Sequence, residues 1–461
     1  MPLVENSTRP QRLNRWWRRD EARTTAERPS PRVLFINQYY WPNHASTAQH
    51  LTDLAESIAE QGVEVHVICS RGGYRPDDQS TANPAFEIHN NVSIHRVAAS
   101  SLGRRSTARR MVDYLSYYAA AAMLAAKLPR FDVVVTLTTP PMIGLVGTLL
   151  RQFKKSKHIY WSMDLHPDAS LALGRMSRGN PLVSMLSWLS DLAYRRADQV
   201  VALGSYMADR IEAKGVPFAR LSEIPVWSRA DEIDPLPLAG HPLREQHGLT
   251  DKFVVMYSGN LGLAHSFDEF LAAARRLKQR DDVVFLFVGD GPRLAEVKAA
   301  QSQEALSNLR FLPYFPREVL HASLSMANAH LISMRDEMTG IVVPGKLYGV
   351  MASSRPAVFV GPQHCETADT IRAAACGRTI SLGDVDGLVR SIEDLARNRQ
   401  EAEALGESGR AYFLEHHERA ICCAAWAELI ESLVGIARES SLGRPRHSAA
   451  SRARATTMPA R

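Results

Sequence analysis

The run Phe253-Val254-Val255-Met256-Tyr257-Ser258-Gly259-Asn260-Leu261-Gly262 passes from an apolar stretch to a glycine loop. Its start reads as a buried parallel strand, and the glycines that follow let backbone N–H groups approach a ligand closely. The pattern repeats at Val283–Val288, which runs into Gly289-Asp290-Gly291-Pro292. A third segment, Glu337-Met338-Thr339-Gly340-Ile341-Val342-Val343-Pro344-Gly345-Lys346-Leu347-Tyr348, brings a lysine to a helix start. Glycine loops after strands, a helix dipole and a full positive charge together describe a nucleotide-diphosphate pocket.

Working outward, β-branched runs alternate with helix-period stretches. Val33–Ile36, Val63–Cys69, Ser93–Val97, Val133–Leu137, His158–Met163 and Gln199–Leu203 read as strands, and 48–60, 108–127, 142–153 and 181–196 as helices. A second alternation uses Phe253–Tyr257, Val283–Val288, Leu309–Leu312, His330–Met334, Ala357–Val360 and Arg378–Leu382. The expected fold class is α/β, with two Rossmann-like doubly wound domains facing a central cleft. The domains are placed at 32–225 and 249–417, with a proline-rich linker at 226–248. A last helix at 418–438 is free to cross back to the first domain, and basic disordered tails occupy 1–31 and 439–461.

The 461 residues carry a formal charge of +6, but the basicity is uneven. Residues 1–32 contribute +4 and residues 440–461 contribute +5, which leaves −3 for the rest. The body is therefore not a general nucleic-acid binder. Cys69, Cys365, Cys376, Cys422 and Cys423 are odd in number and lack C-x-x-C spacing, so neither a disulfide framework nor a zinc site is indicated. The apolar run from Val133 to Leu150 is broken by Pro140-Pro141, and strand, turn and helix explain it better than a membrane span. Arginines around Trp16 and Trp17 read either as part of a disordered tail or as an interfacial segment. Arg104, Arg105, Arg109 and Arg110, and the run Arg151, Lys154, Lys155 and Lys157, either hold the first domain on anionic lipid or form solvated helix faces.

The order of Asn37-Gln38-Tyr39-Tyr40-Trp41-Pro42, Trp161-Ser162-Met163-Asp164-Leu165-His166-Pro167-Asp168, Ile224-Pro225-Val226-Trp227, Ser258-Gly259-Asn260, Val288-Gly289-Asp290-Gly291 and Pro344-Gly345-Lys346-Leu347-Tyr348 resembles a bacterial family-4 glycosyltransferase. Within that family it resembles the colanic acid and O-antigen branch that includes N-acetyl-fucosamine-type transferases. The resemblance implies a GT-B fold and retaining transfer from a nucleotide sugar, usually UDP-linked, with no metal and no cofactor beyond this co-substrate. It further implies a lipid-linked saccharide acceptor and work at the inner face of the plasma membrane, cytoplasmic and peripheral.

The resemblance also assigns residues. Glu337 matches the first glutamate of the family's Glu-x(7)-Glu motif, near the donor sugar, or else is a solvated loop carboxylate. Gly340, Ile341 and Val342 would offer backbone N–H groups to the donor, with helix capping as the alternative. Lys346 would meet the diphosphate beside Gly259, Gly262, Gly289 and Asp290, where many relatives have Arg and Lys but this chain has Asn260 and His265. Counted back from Met351-Ala352, and so with eleven residues after Glu337 instead of seven, the second motif glutamate falls at Gly349, which cannot accept ribose hydrogen bonds, leaving Glu366 as a substitute or as a helix N-terminal acid. Tyr314 would stack beside the base or pack in the core. Asp164 and His166 would position acceptor or donor, or cap the turn before Pro167. His44-Ala45-Ser46-Thr47 takes the place of the acceptor-side glycine loop, with Ser46 as a candidate helix cap. Two rivals share this architecture: a UDP-sugar 2-epimerase and a non-catalytic nucleotide-sugar-binding subunit.

Overall fold

The computed structural model describes residues 30–72, 83–100, 107–177 and 179–435. Arg104, Arg105, Trp16, Trp17 and most of the two basic tails lie outside the described residues.

The first domain holds an eight-stranded sheet of β1 (Arg32–Ile36), β2 (Glu64–Ser70), β3 (Phe86–His89), β4 (Val92–Val97), β5 (Val133–Thr136), β6 (Lys157–Trp161), β7 (Gln199–Ala202) and β8 (Leu221–Glu223). The spatial order is β3-β4-β2-β1-β5-β6-β7-β8, parallel except for the β3–β4 pair. The second sheet is formed by β9 (Phe253–Ser258), β10 (Val283–Val288), β11 (Leu309–Leu312), β12 (Ala329–Ser333), β13 (Ala357–Val360) and β14 (Gly377–Ile380). It is parallel throughout, in the order β11-β10-β9-β12-β13-β14. Strand order reverses beside β1 and beside β9, so the loop after each opens into a crevice, where such sheets bind ligands.

Period-two alternation explains how the first sheet is covered. Val33 and Phe35 point into a core with Leu51, Leu54 and Ile58 of α1 (Ser46–Glu60). Leu34, Ile36 and Val134 point the other way, into a cluster with Tyr117 and Ala121 of α2 (Thr107–Lys127) and Val146 and Leu150 of α3 (Gly144–Lys154). Both faces are buried, as expected for near-continuous apolar strands in a parallel sheet. After β6 come the short α4 (Asp168–Ala172) and then α5 (Pro181–Arg196), whose Tyr194 ring packs 4.6 Å from that of Tyr160 on β6. That contact sets α5 beside α3, on the α2 side of the sheet. Helix α6 (Ser205–Ala213) then leads into β8.

The chain crosses between the domains twice, and the crossings lie side by side. Ser228 N–H donates to the carbonyl of His417 (3.3 Å), and the Ser228 carbonyl accepts from Arg419 N–H (3.1 Å). The closing helix, Arg419–Val434, lies on the first domain against α1, with the Trp426 ring 4.7 Å from that of Trp161. Trp227 is buried at the first crossing, where its indole N–H donates to Asp53 on α1 (3.1 Å). No helix among the described residues is long and apolar enough to cross a membrane.

Candidate active site

The two glycine loops of the second domain are built against each other. Gly259 follows β9 at φ +126°, and Gly289 follows β10 at φ +134°. A Cβ at Gly289 would stand 2.3 Å from the Gly259 carbonyl oxygen, and one at Gly291 would stand 2.6 Å from Leu261 N. Leu261 N–H donates to the carbonyl of Asp290 (2.9 Å), which locks the pair. Both the backbone conformation and the close approach therefore require glycine at these positions. The Asp290 carboxylate accepts from its neighbour Gly291 N–H (2.7 Å), while Tyr314 lies partly exposed beside Gly289. At Gly262 a Cβ would meet the Asn260 side-chain amide at 3.1 Å, so Asn260 folds back over its own loop.

Lys346 opens the helix Lys346–Ala352 and reaches back under the Gly259 loop. Its ammonium lies 3.7 Å from the centre of the Tyr257 ring and has no hydrogen-bond acceptor in reach among the described residues. Burial lowers its pKa to about 7, because desolvation disfavours the charged form. The His265 ring sits edge-on to the same tyrosine and its Nδ1 bonds the Ser333 carbonyl. Burial, followed by the Lys346 charge, pushes His265 down to about 3. It is neutral at physiological pH and offers this pocket no positive charge. Tyr257, which the sequence reading passed over, is the platform of the cluster, and its position at the end of an apolar strand gave no signal beyond core packing.

The Glu337 loop faces the first domain. Glu337 is exposed in the turn Asp336–Met338, beside which α4 packs. Ile341 and Val342 N–H groups both donate to the Met338 carbonyl (2.9 and 3.3 Å), so these amides are engaged within the turn. The Ile341 carbonyl accepts from Leu165 N–H of the opposite domain (3.1 Å). Gly340, at φ +68°, allows the carbonyl of Tyr206 to approach, since a Cβ there would stand 2.4 Å from it.

In the first domain, Asp164 and His166 follow β6 on the loop that touches Ile341. Asp164 N–H is held by the Thr138 hydroxyl (3.3 Å), and burial raises its carboxyl pKa against the opposing influence of His166. The His166 carbonyl accepts from Ser190 on α5 (2.6 Å). Asp168 is tied to Lys214 (2.8 Å), which gives it a structural partner. Ala45, not Ser46, occupies the N-cap of α1, where Asn43 Oδ1 accepts from Ala45 N–H (3.0 Å), and Ser46 is the first helical residue.

Glu366 lies elsewhere in this interface. It opens the helix Glu366–Ala373, and its Oε1 accepts from the N–H groups of Tyr206 (2.6 Å) and Met207 (3.2 Å) at the start of α6. Gly204 makes room for it, since a Cβ there would stand 2.3 Å from Glu366 Cγ. Tyr206 hydroxyl donates to Asp369 (2.9 Å) and Arg210 Nε to the Thr339 carbonyl (2.6 Å), so α6 grips both the Glu337 loop and the helix Glu366–Ala373. At Gly349 a Cβ would meet Leu324 at 3.5 Å and Ser228 at 3.7 Å, so the position looks toward the first crossing and accepts a methyl group in ordinary contact. Among the described residues, no group of three or more His, Cys, Asp or Glu side chains converges as a metal site would.

Two domain families match in tandem. The Glycosyl transferase 4-like domain covers residues 45–227, and the Glycosyl transferases group 1 domain covers residues 241–412. The chain is a GT-B glycosyltransferase. Its relatives include a Pseudomonas aeruginosa protein named as the glycosyltransferase WbjE, 23% identical over 72% of this chain and 82% of that one. The Escherichia coli protein named as the colanic acid biosynthesis glycosyl transferase WcaI is 25% identical over 78% of this chain and 91% of that one. Among solved structures, Anabaena Alr3699/HepE in complex with UDP-glucose superposes with a TM-score of 0.66 at 15% identity, over 87% of this glycosyltransferase and 100% of that chain. WaaG, a glycosyltransferase involved in lipopolysaccharide biosynthesis, gives 0.64 at 15% identity over 87% and 100%. At these identities the superpositions establish the fold: the alternation predicted two Rossmann-like domains, the family resemblance implied the GT-B arrangement, and both hold.

Proposed function

We propose that this glycosyltransferase moves a sugar from a UDP-linked donor to a lipid-linked saccharide in the synthesis of a bacterial cell-surface polysaccharide. The observation that carries the reading is the buried Lys346 ammonium, held 3.7 Å over Tyr257 beside the Gly259 loop with no acceptor among the described residues. A desolvated cation with no counter-ion is costly, and a diphosphate is the partner that these glycine loops admit. The name of WcaI, a colanic acid biosynthesis glycosyl transferase, supports the polysaccharide setting, and the UDP-glucose carried by HepE on the same fold supports the donor class.

In this reading Lys346 and the backbone dipoles of the Gly259 loop stabilise the departing diphosphate without a metal. The donor's leaving oxygen takes the acceptor hydroxyl's proton and transfer retains the anomeric configuration. Glu337 faces positive charge developing on the sugar, while Asp164 and His166 orient the reacting hydroxyl across the cleft. Nucleoside diphosphate release from a panel of UDP-, GDP- and dTDP-sugars, with and without a polyprenyl-diphosphate-linked saccharide, tests it. Release that requires one donor and the acceptor, and that Lys346→Ala abolishes, is the expected result. Donor binding without acceptor-dependent release would favour a non-catalytic nucleotide-sugar-binding subunit.

A further inference from the structure

The outer face of α2 is apolar where a sheet-covering helix normally turns polar residues to water. While Tyr117, Ala121 and Ala125 are buried beneath it, Val112, Leu115 (58% exposed) and Met123 (61%) point outward, with exposed Ala119 and Ala126 between and beyond them. The neighbouring α3 adds Leu149 and Phe153, the latter 77% exposed, and α5 adds Leu182, Met185 and Trp188, the last 57% exposed. Helix α3 packs against both α2 and α5, so these residues share one layer. Of the fourteen large hydrophobic side chains exposed among the described residues, eight lie on these three helices.

The charges in this layer have one sign. Its helices hold two acids: Asp113, bonded to the Ser100 hydroxyl (2.8 Å), and Asp191, paired with Lys214 (3.2 Å). Exposed Arg109, Arg110, Lys127, Lys155, Arg195 and Arg196 border the apolar side chains. The second basic run read from the sequence is partly structural, since Arg151 pairs with Asp198 (2.9 Å) and Lys154 donates to the carbonyls of Ala125 and Leu128.

Building on the lipid-linked acceptor of the proposed function, we infer that the α2–α3–α5 face docks on an anionic phospholipid bilayer. Apolar side chains enter the headgroup boundary, Trp188 sits at headgroup depth, and the arginines and lysines meet lipid phosphates. A second copy of the chain is a poorer occupant, because twofold pairing would set basic residues against basic residues with no exposed acid on these helices to answer them. The placement also serves the chemistry. Ser190 of α5 donates to the His166 carbonyl in the loop of Asp164 and His166, whose Leu165 touches Ile341 across the cleft, so a bilayer on this face brings a lipid-borne saccharide to the mouth of the site.

The test is flotation of the full chain with vesicles of phosphatidylcholine alone or mixed with phosphatidylglycerol, for the wild type and a Phe153→Ser/Trp188→Ser double variant. The wild type should float with the anionic vesicles in a salt-sensitive manner, and the double variant should lose at least about tenfold in partitioning. Its thermal unfolding and its transfer to a short-chain, water-soluble acceptor should be unchanged. Equal flotation of variant and wild type, failure of the wild type to float, or a dimer in sedimentation velocity that the variant abolishes would each overturn the inference. Flotation with no transfer to any acceptor would instead count against the proposed activity and leave the docking face standing.

Discussion

Glu366 Oε1 accepts a 2.6 Å hydrogen bond from the backbone N–H of Tyr206, a residue of the other domain that it meets at the first turn of α6. A second bond from Met207 N–H completes a carboxylate cap supplied across the domain interface. Burial raises the Glu366 pKa to about 7 from its ordinary 4.5, despite the two amides that favour its charged form. A carboxyl raised in the folded state adds stability below its unfolded pKa, and this is lost as pH rises through the folded value. Unfolding of the wild type relative to Glu366→Gln should therefore become easier between pH 5 and 8, by on the order of 2 kcal/mol. Parallel Tm-against-pH curves for the two proteins would rule this out.

Lys346 predicts the opposite dependence and a proton signature. Its pKa of about 7 lies below the ordinary 10.5, so its contribution to stability grows as pH rises from 7 toward 10. A bound diphosphate restores the charge, and UDP binding at pH 8 should take up close to one proton. Calorimetry in buffers of different ionisation enthalpy measures this. Lys346→Met should abolish the uptake and weaken UDP binding at least about tenfold, with Tm held or raised because an unpaired buried charge is gone.

Two glycines should respond in opposite ways. Gly289→Ala forces a Cβ to within 2.3 Å of the Gly259 carbonyl at φ +134°, and should cost more than about 2 kcal/mol by denaturant unfolding. Gly349 lies within the helix Lys346–Ala352, where the nearest atom to an added Cβ is 3.5 Å away, so Gly349→Ala should stabilise by about 0.5–1 kcal/mol.

Trp426 is fully buried against Trp161 and anchors the closing helix to the first domain. Trp426→Ala should cost about 3–5 kcal/mol in chemical unfolding and expose the helix Arg419–Val434 to proteolysis. Unchanged protease resistance would show that the ladder at Ser228 suffices to hold it.

Much of the fold was legible because central parallel strands are buried on both faces, so runs such as Val283–Val288 stand out as unbroken apolar segments. The two edge strands of the first sheet carry no such signal. In β3 the residues Phe86 to His89 alternate between exposed and half-exposed, and β8 is only three residues long. The glycine loops and Lys346 were readable for a related reason, since backbone approach and charge are local requirements. The partners of Ile341, Glu366 and Gly340 come from residues more than a hundred positions away on the opposite domain, and no local pattern encodes which amide will meet which carboxylate. His265 shows the converse, because its residue type permits a charge that its burial removes.

The ladder joining Ser228 to His417 and Arg419 makes the boundary between the halves a double one. A functional exchange of halves with a relative must cut at both crossings and carry Arg419–Val434 with the first domain, because a single cut near residue 230 would leave Trp161 facing a foreign helix. The second domain is thus an insert between two cuts, and chimaeras built that way should fold where simple head-to-tail fusions aggregate.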